Sequence, residues 1–270
     1  MAFYVDQLGR NVDVVSNHLK IVSVVPSQTE LLFDLGLNEE VAGITKFCVH
    51  PQHWFRTKPK IGGTKQLHLN KIRQLEPNLI IANKEENNRE QIEELVKEFP
   101  VWITDVNNLD GALWMIEAIG KITNRHQHAN EILAQIRMNF AQLHIPNIKP
   151  RTCYLIWKDP YMTIGGDTFI NDMLKCVGLT NIFENQNRYP AVTIQELKAA
   201  DCELLLLSSE PFPFRQKHLK ELQTFLPDTK IVLTDGEMFS WYGSRLIKAP
   251  AYFLQLQNQV LSLKHARGRK

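Results

Sequence analysis

The chain has only four cysteines, Cys48, Cys153, Cys176 and Cys202, in 270 residues, and no two of them form a C-x-x-C pair. In an oxidising compartment two or more of them could be bridged, a choice their spacing leaves open. Scattered single cysteines suit a reducing compartment, where each acts as a small buried apolar residue. Charge of one sign is also lacking: 31 Lys and Arg face 29 Asp and Glu. No excess therefore nominates nucleic acid or an anionic membrane as partner. No apolar run approaches the roughly 20 residues of a membrane helix, and the longest, near Leu204–Leu207, is strand-sized. The first ten residues, from Met1 to Arg10, show neither a basic segment nor an apolar core, so no export signal is expected at this end. Low-complexity segments and internal repeats are likewise missing. What remains is a chain with 44% hydrophobic and 22% charged residues, which excludes disorder. At this length about 73% of the unfolded chain's surface is expected to be buried, a core that needs no staple.

Short apolar runs alternate with helical patterns, which predicts α/β architecture with mainly parallel strands. Residues 3–15 read as a hairpin around Gly9. Strands are expected at 20–25, 41–44, 77–82 and 101–103, and helices at 90–99 and 109–122. Pro26–Glu30 reads as a turn before a short helix, with Ser27 or Thr29 as N-cap and Gly36 as C-cap. From Arg125 to Leu143 there is no Gly or Pro, and Ala129, Ile132, Leu133, Ile136 and Phe140 fall on one face. One amphipathic helix of about five turns is expected there. The pattern then restarts with strands at 152–157, 204–207 and 231–234. A helix over Phe169–Val177 is closed by Gly178, and a terminal one begins near Ser244, ending in a frayed basic tail from Lys264 to Lys270. The organisation expected is an N-terminal lobe over 1–122, a connecting helix over 123–147 and a C-terminal lobe over 148–270. Two such lobes leave a crevice rimmed by loops at the carboxyl ends of strands.

Those loops are rich in aromatic residues, among them Phe47, Trp54, Trp157, Tyr161, Phe212, Phe214, Phe239, Trp241 and Tyr242. Flat surfaces of this kind suit a large, partly apolar organic ligand, or else they cap the sheet ends as core. Cys48, His50 and His53 form the best metal-like cluster, with a fourth ligand available from Glu85 or Asp235. Their spacing matches no standard zinc motif. The alternative is structural, with Cys48 packed under its loop and His50 capping the helix Gln52–Phe55. Gly165-Gly166-Asp167-Thr168 at a helix start could hold an anion on backbone N–H groups, or could be an ordinary turn. The run from Asn83 to Glu90 reads as a solvated helix start, or places Asn83 or Glu85 at the crevice mouth. No G-x-S-x-G elbow is present. The nearest acid/base set is Asp235, Glu237 and Arg245, where an Arg–carboxylate pair would be structural.

Several segments carry a family resemblance: residues 21–32 (IVSVVPSQTELL), Gly43-Ile44-Thr45, Lys60-Ile61-Gly62-Gly63, residues 75–80, residues 165–174 (GGDTFINDML) and Gly178-Leu179-Thr180-Asn181. In their order and spacing around a long helix, the chain resembles the substrate-binding proteins of ABC importers for cobalamin and iron-siderophores, in which a helical backbone joins two Rossmann-like lobes. The resemblance implies reversible capture of a corrinoid, haem or ferric siderophore, with no resident cofactor and no catalysis. It implies ligand contacts from Ser27, Gln28, Phe47, Cys48, His50 and Asn83 in the first lobe. The second lobe would offer Trp157, Tyr161, Asp167, Glu210, Phe239, Trp241 and Arg245. A periplasmic location follows from it too, although the missing export signal leaves a cytoplasmic one open. Relatives dock on a permease through one exposed Glu per lobe; the matching places here hold Asn70, and either Gln195 or Glu196. Two other readings stay open: a metal-dependent enzyme using Cys48, His50 and His53, and a cytoplasmic partner protein of a cobamide-handling system.

Overall fold

The computed structural model describes residues 2–15, 18–144 and 149–267. The chain divides into two compact units: residues 1–106, 110–137 and 241–245 form the first, and residues 107–109, 138–240 and 246–270 the second.

The first unit opens with the expected hairpin. Strand β1 (Ala2–Val5) pairs antiparallel with β2 (Asn11–Val14), and Gly9 takes the left-handed conformation (φ +75°) its turn requires. Four parallel strands follow: β3 (Ile21–Ser23), β4 (Val41–Ile44), β5 (Leu79–Asn83) and β6 (Val101–Thr104), in the order β4-β3-β5-β6. Strands β3, β5 and β6 are buried at every residue, as a parallel sheet covered on both faces demands. Between them run α1 (Pro26–Asp34), α2 (Gln52–Thr57), α3 (Leu69–Leu75) and α4 (Arg89–Val96), with α5 (Leu109–Ile122) after β6.

The segment Pro26–Glu30, expected as a turn, is instead the first turn of α1. Pro26 stands at N1, where its missing N–H is no loss, and extended Val25, not Ser27 or Thr29, is the N-cap. Gly36 lies just past the helix end in the left-handed region (φ +80°). The long connecting helix is α6 (His126–Ala141), with Ala129, Ile132, Leu133 and Ile136 on its buried side. It is shorter than the expected 123–147, and 145–148 lie outside the described residues.

The second unit repeats the plan. Strands β7 (Arg151–Leu155), β8 (Thr180–Asn181), β9 (Leu204–Ser208) and β10 (Lys230–Thr234) form a parallel sheet in the order β10-β9-β7-β8. Helices α7 (Phe169–Val177), α8 (Ile194–Ala199), α9 (Gln216–Phe225), α10 (Glu237–Ser240) and α11 (Ala249–Arg267) complete it. Helix α7 has its expected span and is closed by Gly178 at φ +78°, as expected; its N-cap is Thr168, which accepts from the Asn171 N–H. The core gathers Cys153, Leu155, Leu197, Leu205, Leu207 and Leu222. The terminal helix does not begin at Ser244; a 3-10 turn over Ser244–Ile247 precedes α11. Of the expected frayed tail, residues 264–267 continue the helix and 268–270 lie outside the described residues.

Candidate functional site

Each sheet reverses its strand order once. In the first unit β3 connects outward to β4 on one side while β5 connects to β6 on the other; in the second, β7 leads to β8 and β9 to β10. The carboxyl ends of β3 and β5, and those of β7 and β9, are therefore topological switch points, where an open parallel sheet presents its ligand-binding loops. The ends of these four strands and the segments that follow them carry Gln28, Asn83, Trp157 and Glu210, all expected as ligand contacts.

In the first unit the switch point is lined by a hydrogen-bonded polar set. Gln28, fully buried, donates through Nε2 to Thr104 Oγ1 at 2.5 Å, and Asn83 Nδ2 donates to the same oxygen at 2.9 Å. Asn83 Oδ1 accepts from the N–H groups of Glu85 and Glu86, at 2.8 and 2.9 Å. Asn87 Nδ2 donates to Val24 O at 3.1 Å. The stretch 83–88 is thus a tight, side-chain-closed loop. Helix α4 begins only at Arg89, capped by Asn88, so the run from Asn83 is not the solvated helix start expected of it.

Beside this set the loop 45–50 is anchored from below. Cys48 is fully buried, with Sγ 3.1 Å from both Thr29 Oγ1 and Thr45 Oγ1. Burial pushes the Cys48 thiol up, with the nearby Glu86 charge adding to it, so the neutral thiol persists at pH 7. The anchor presents Phe47, which is 51% exposed, with Lys46 Nζ 5.1 Å from the ring centroid. The ring leans on Gly63, where a Cβ would lie 3.0 Å from it.

The expected metal cluster does not assemble. Cys48 turns to the two threonines, the His53 ring lies edge-on to Phe33 at 5.2 Å, and His50 lies edge-on to Trp241 at 5.5 Å. Among the described residues no three His, Cys, Asp or Glu side chains group as a metal site. Nor does His50 cap α2, whose N-cap is Pro51 with no side-chain hydrogen bond.

Residues 241–245 belong to the first unit and are bound there by side chains. Arg245 pairs with Glu30 through two hydrogen bonds, and its guanidinium lies 4.8 Å from the Trp241 ring centroid. Tyr242 donates to Glu86 and Ser244 to Asp34. Burial, with Glu86 beside it, pushes the Tyr242 hydroxyl well up, so it remains a donor. Gly243 is required here: a Cβ would fall 2.6 Å from the Ser27 carbonyl oxygen. Trp241 and Arg245, expected as ligand contacts, are both buried.

In the second unit the residues after β7 form a small hairpin, in which Trp157 bridges Met162. Trp157 is 41% exposed and lies edge-on to Phe212 at 5.9 Å. Tyr161 packs half-buried against the second unit's core, and Lys158 is fixed by Glu221 at 2.8 and 2.6 Å. After β9, Glu210 accepts from Ser240 Oγ at 2.5 Å, and Tyr154 donates to Ser208 Oγ at 3.1 Å. Phe239 is fully buried against Tyr154 and Phe253, a core position. Asp167 is taken up elsewhere, accepting from the Arg188 N–H at 2.6 Å. The Gly165-Gly166 pair holds no free anion cradle, because its N–H groups donate to the Arg188 and Gln186 carbonyls.

Sequence reasoning passed over Thr104, whose place at the end of a buried strand was the available signal, and within the run from Asn83 to Glu90 it singled out Asn83 and Glu85 but not Asn87. It also left Tyr242 out of the contact set and His218 unremarked.

Two four-stranded parallel α/β sheets with ligand-type loops at their switch points define the class of a solute-binding protein. A family model for periplasmic binding proteins matches residues 21–230, and the chain belongs to that family. It is 22% identical over 248 residues to a vitamin B12-binding protein of Photorhabdus laumondii, covering 89% of this chain and 88% of that one. In fold it is similar to the periplasmic haem-binding protein HutB of Vibrio cholerae, with a TM-score of 0.76 at 19% identity over 90% of this chain and 99% of that one. It is also similar to an ABC-type Fe3+-hydroxamate transport system protein of Saccharomonospora viridis, with a TM-score of 0.72 at 15% identity over 94% and 98% of the two chains. Among the described residues no helix is long and apolar enough to cross a membrane.

Proposed function

We propose that this chain is the substrate-binding component of an ABC importer and captures a corrinoid, haem or ferric siderophore, with no chemistry performed on it and no resident cofactor. The observation that carries the reading is the pair of half-exposed rings: Trp157 on the hairpin at the second unit's switch point and Phe47 on the anchored loop after β4, beside the first unit's switch point, while Trp54, Trp102, Phe239 and Trp241 are buried. Large apolar rings kept half in water on rigid supports are suited to stacking on a flat, partly apolar guest. The polar set around Gln28 and Asn83 would orient the guest's edge groups. Membership of the family and the ligands borne by its relatives' names support the same class.

The permease partner belongs to this proposal. Asn70 and Gln195 are exposed, at the places where docking charges are expected. Glu196 is exposed too, but its carboxylate already accepts from the Thr193 N–H and hydroxyl in a capping box. Any docking would therefore lean less on charge than in relatives with a free Glu at each place.

Titrating the purified chain with cyanocobalamin, hemin and a ferric hydroxamate, followed by absorbance and calorimetry, tests the reading. Saturable one-to-one binding of one of the three is expected, weakened at least tenfold by joint Phe47→Ala and Trp157→Ala substitution. Failure of all three to bind more tightly than about 1 mM, or about −4 kcal/mol, would overturn it.

A further inference from the structure

The Trp157 hairpin rests on a histidine that the ligand reading leaves unused. His218, buried, lies beneath two rings of the loop after β9: its centroid is 5.3 Å from Phe212 and 5.7 Å from Phe214. Phe212 in turn carries Trp157, and its N–H donates to Ile156 O at 3.2 Å, tying loop to hairpin. The imidazole does a second job, since its Nδ1 accepts the Arg215 N–H at 3.0 Å, satisfying a backbone donor at the start of α9. Only a neutral imidazole with an unprotonated Nδ1 can accept that bond.

We propose that His218 is a protonation-sensitive prop for the Trp157 hairpin: a proton on Nδ1 ejects the Arg215 N–H and loosens the Phe212–Phe214 floor on which Trp157 stands.

Three cations around the ring oppose that proton, and one carboxylate favours it. Lys217 and Arg215 come from α9 and its start, and Lys158 from the hairpin; Glu221 of α9 is the carboxylate that favours the proton, and it is already bound to Lys158. The loop after β9 contributes the Phe212 and Phe214 rings. Beyond Lys158 the hairpin also carries Asp159 and Tyr161. Burial first, and then the three cations, hold the imidazole below its ordinary value near 6.5. The folded state therefore binds this proton less readily than the unfolded chain does. The stability carried by neutral His218 is present above about pH 6.5 and is lost as pH falls through the lower folded value. A consequence for ligand capture rests on the reading above, whereas the test needs no ligand, so the two fail separately.

The experiment follows the His218 imidazole by proton NMR from pH 8 to 5, assigned by its absence in His218→Gln. In parallel it follows Trp157 as the difference in tryptophan emission between the native chain and Trp157→Phe. Expected is a His218 midpoint below 6.5, with a Trp157 emission shift at the same midpoint that disappears in His218→Gln, whose amide oxygen can still accept the Arg215 N–H. A His218 midpoint at or above 6.5, a Trp157 signal flat across the range, or a shift that survives in His218→Gln would overturn the proposal. His218→Phe, which cannot accept the bond, should show the loosened Trp157 emission at pH 8; emission unchanged from the native chain there would also overturn it.

Discussion

Glu30 and Arg245, 215 positions apart in the chain, are joined by two hydrogen bonds of 2.8 and 2.7 Å, with both side chains less than a tenth exposed. Glu30 lies in α1 and Arg245 in the segment 241–245, which belongs to the first unit although its flanks belong to the second. The planar fork of the guanidinium matches the carboxylate, and its face stacks over Trp241. Removing one partner strands the other's charge in a buried place. Arg245→Met should lower unfolding stability by about 3–5 kcal/mol, whereas Glu30→Gln with Arg245→Met should cost less than the sum of the two single changes. Denaturant unfolding of the three variants checks this; additive losses would mean the pair is not coupled.

Phe47 and Trp241 should separate cleanly in one comparison. With Phe47 half exposed, Phe47→Ala should change stability by less than about 0.5 kcal/mol. It should weaken ligand binding by about 1–3 kcal/mol, or roughly 5- to 150-fold. Trp241→Ala, at a buried position, should instead lower stability by about 3–5 kcal/mol. Melting curves beside ligand titrations read both quantities.

The thiols should be quiet. Cys48 and Cys153 are fully buried and their thiols pushed up; burial lifts Cys176 and Cys202 to about 11. Labelling of the native chain with a thiol-specific disulfide reagent at pH 8 should be slow at all four, and complete within minutes in guanidinium. Fast native labelling at Cys48 would contradict its place beneath the loop.

Gly166 packs so closely that a Cβ would lie 2.1 Å from the Glu184 carbonyl oxygen, and at Gly165 one would lie 2.3 Å from that of Gln186. Gly166→Ala should therefore destabilise the second unit by more than 1 kcal/mol through a forced backbone shift. It should do so equally with and without phosphate present, because these glycines serve packing and not an anion. Thermal melts in the two buffers decide it.

The strands were legible because parallel sheets buried on both faces are written as unbroken apolar runs, such as Leu204–Leu207. Helix α7 was legible because Thr168 and Gly178 punctuate it. Pro26 misled in the other direction: a proline suggested a turn where it opened a helix. The short helices α3 and α8 went unread, their apolar positions being too few to show a period, and α9 went unread with them. At the site, position in the loops was readable but partnership was not. Arg245 stands eight positions from Glu237 and ten from Asp235, so local spacing offered those acids, while the fold supplies Glu30. Cys48, His50 and His53 look alike as donors in sequence, and only the threonines beneath the loop and the rings beside it show that each is otherwise engaged.

The most direct measurement is a calorimetric titration of cyanocobalamin, hemin and ferric hydroxamate into the native chain, beside the double variant Phe47→Ala and Trp157→Ala. One of the three should bind at unit stoichiometry with a Kd in the micromolar range or tighter, and at least tenfold more weakly to the variant. Binding of none of them, or equal binding to a variant that lacks both rings, would contradict the account.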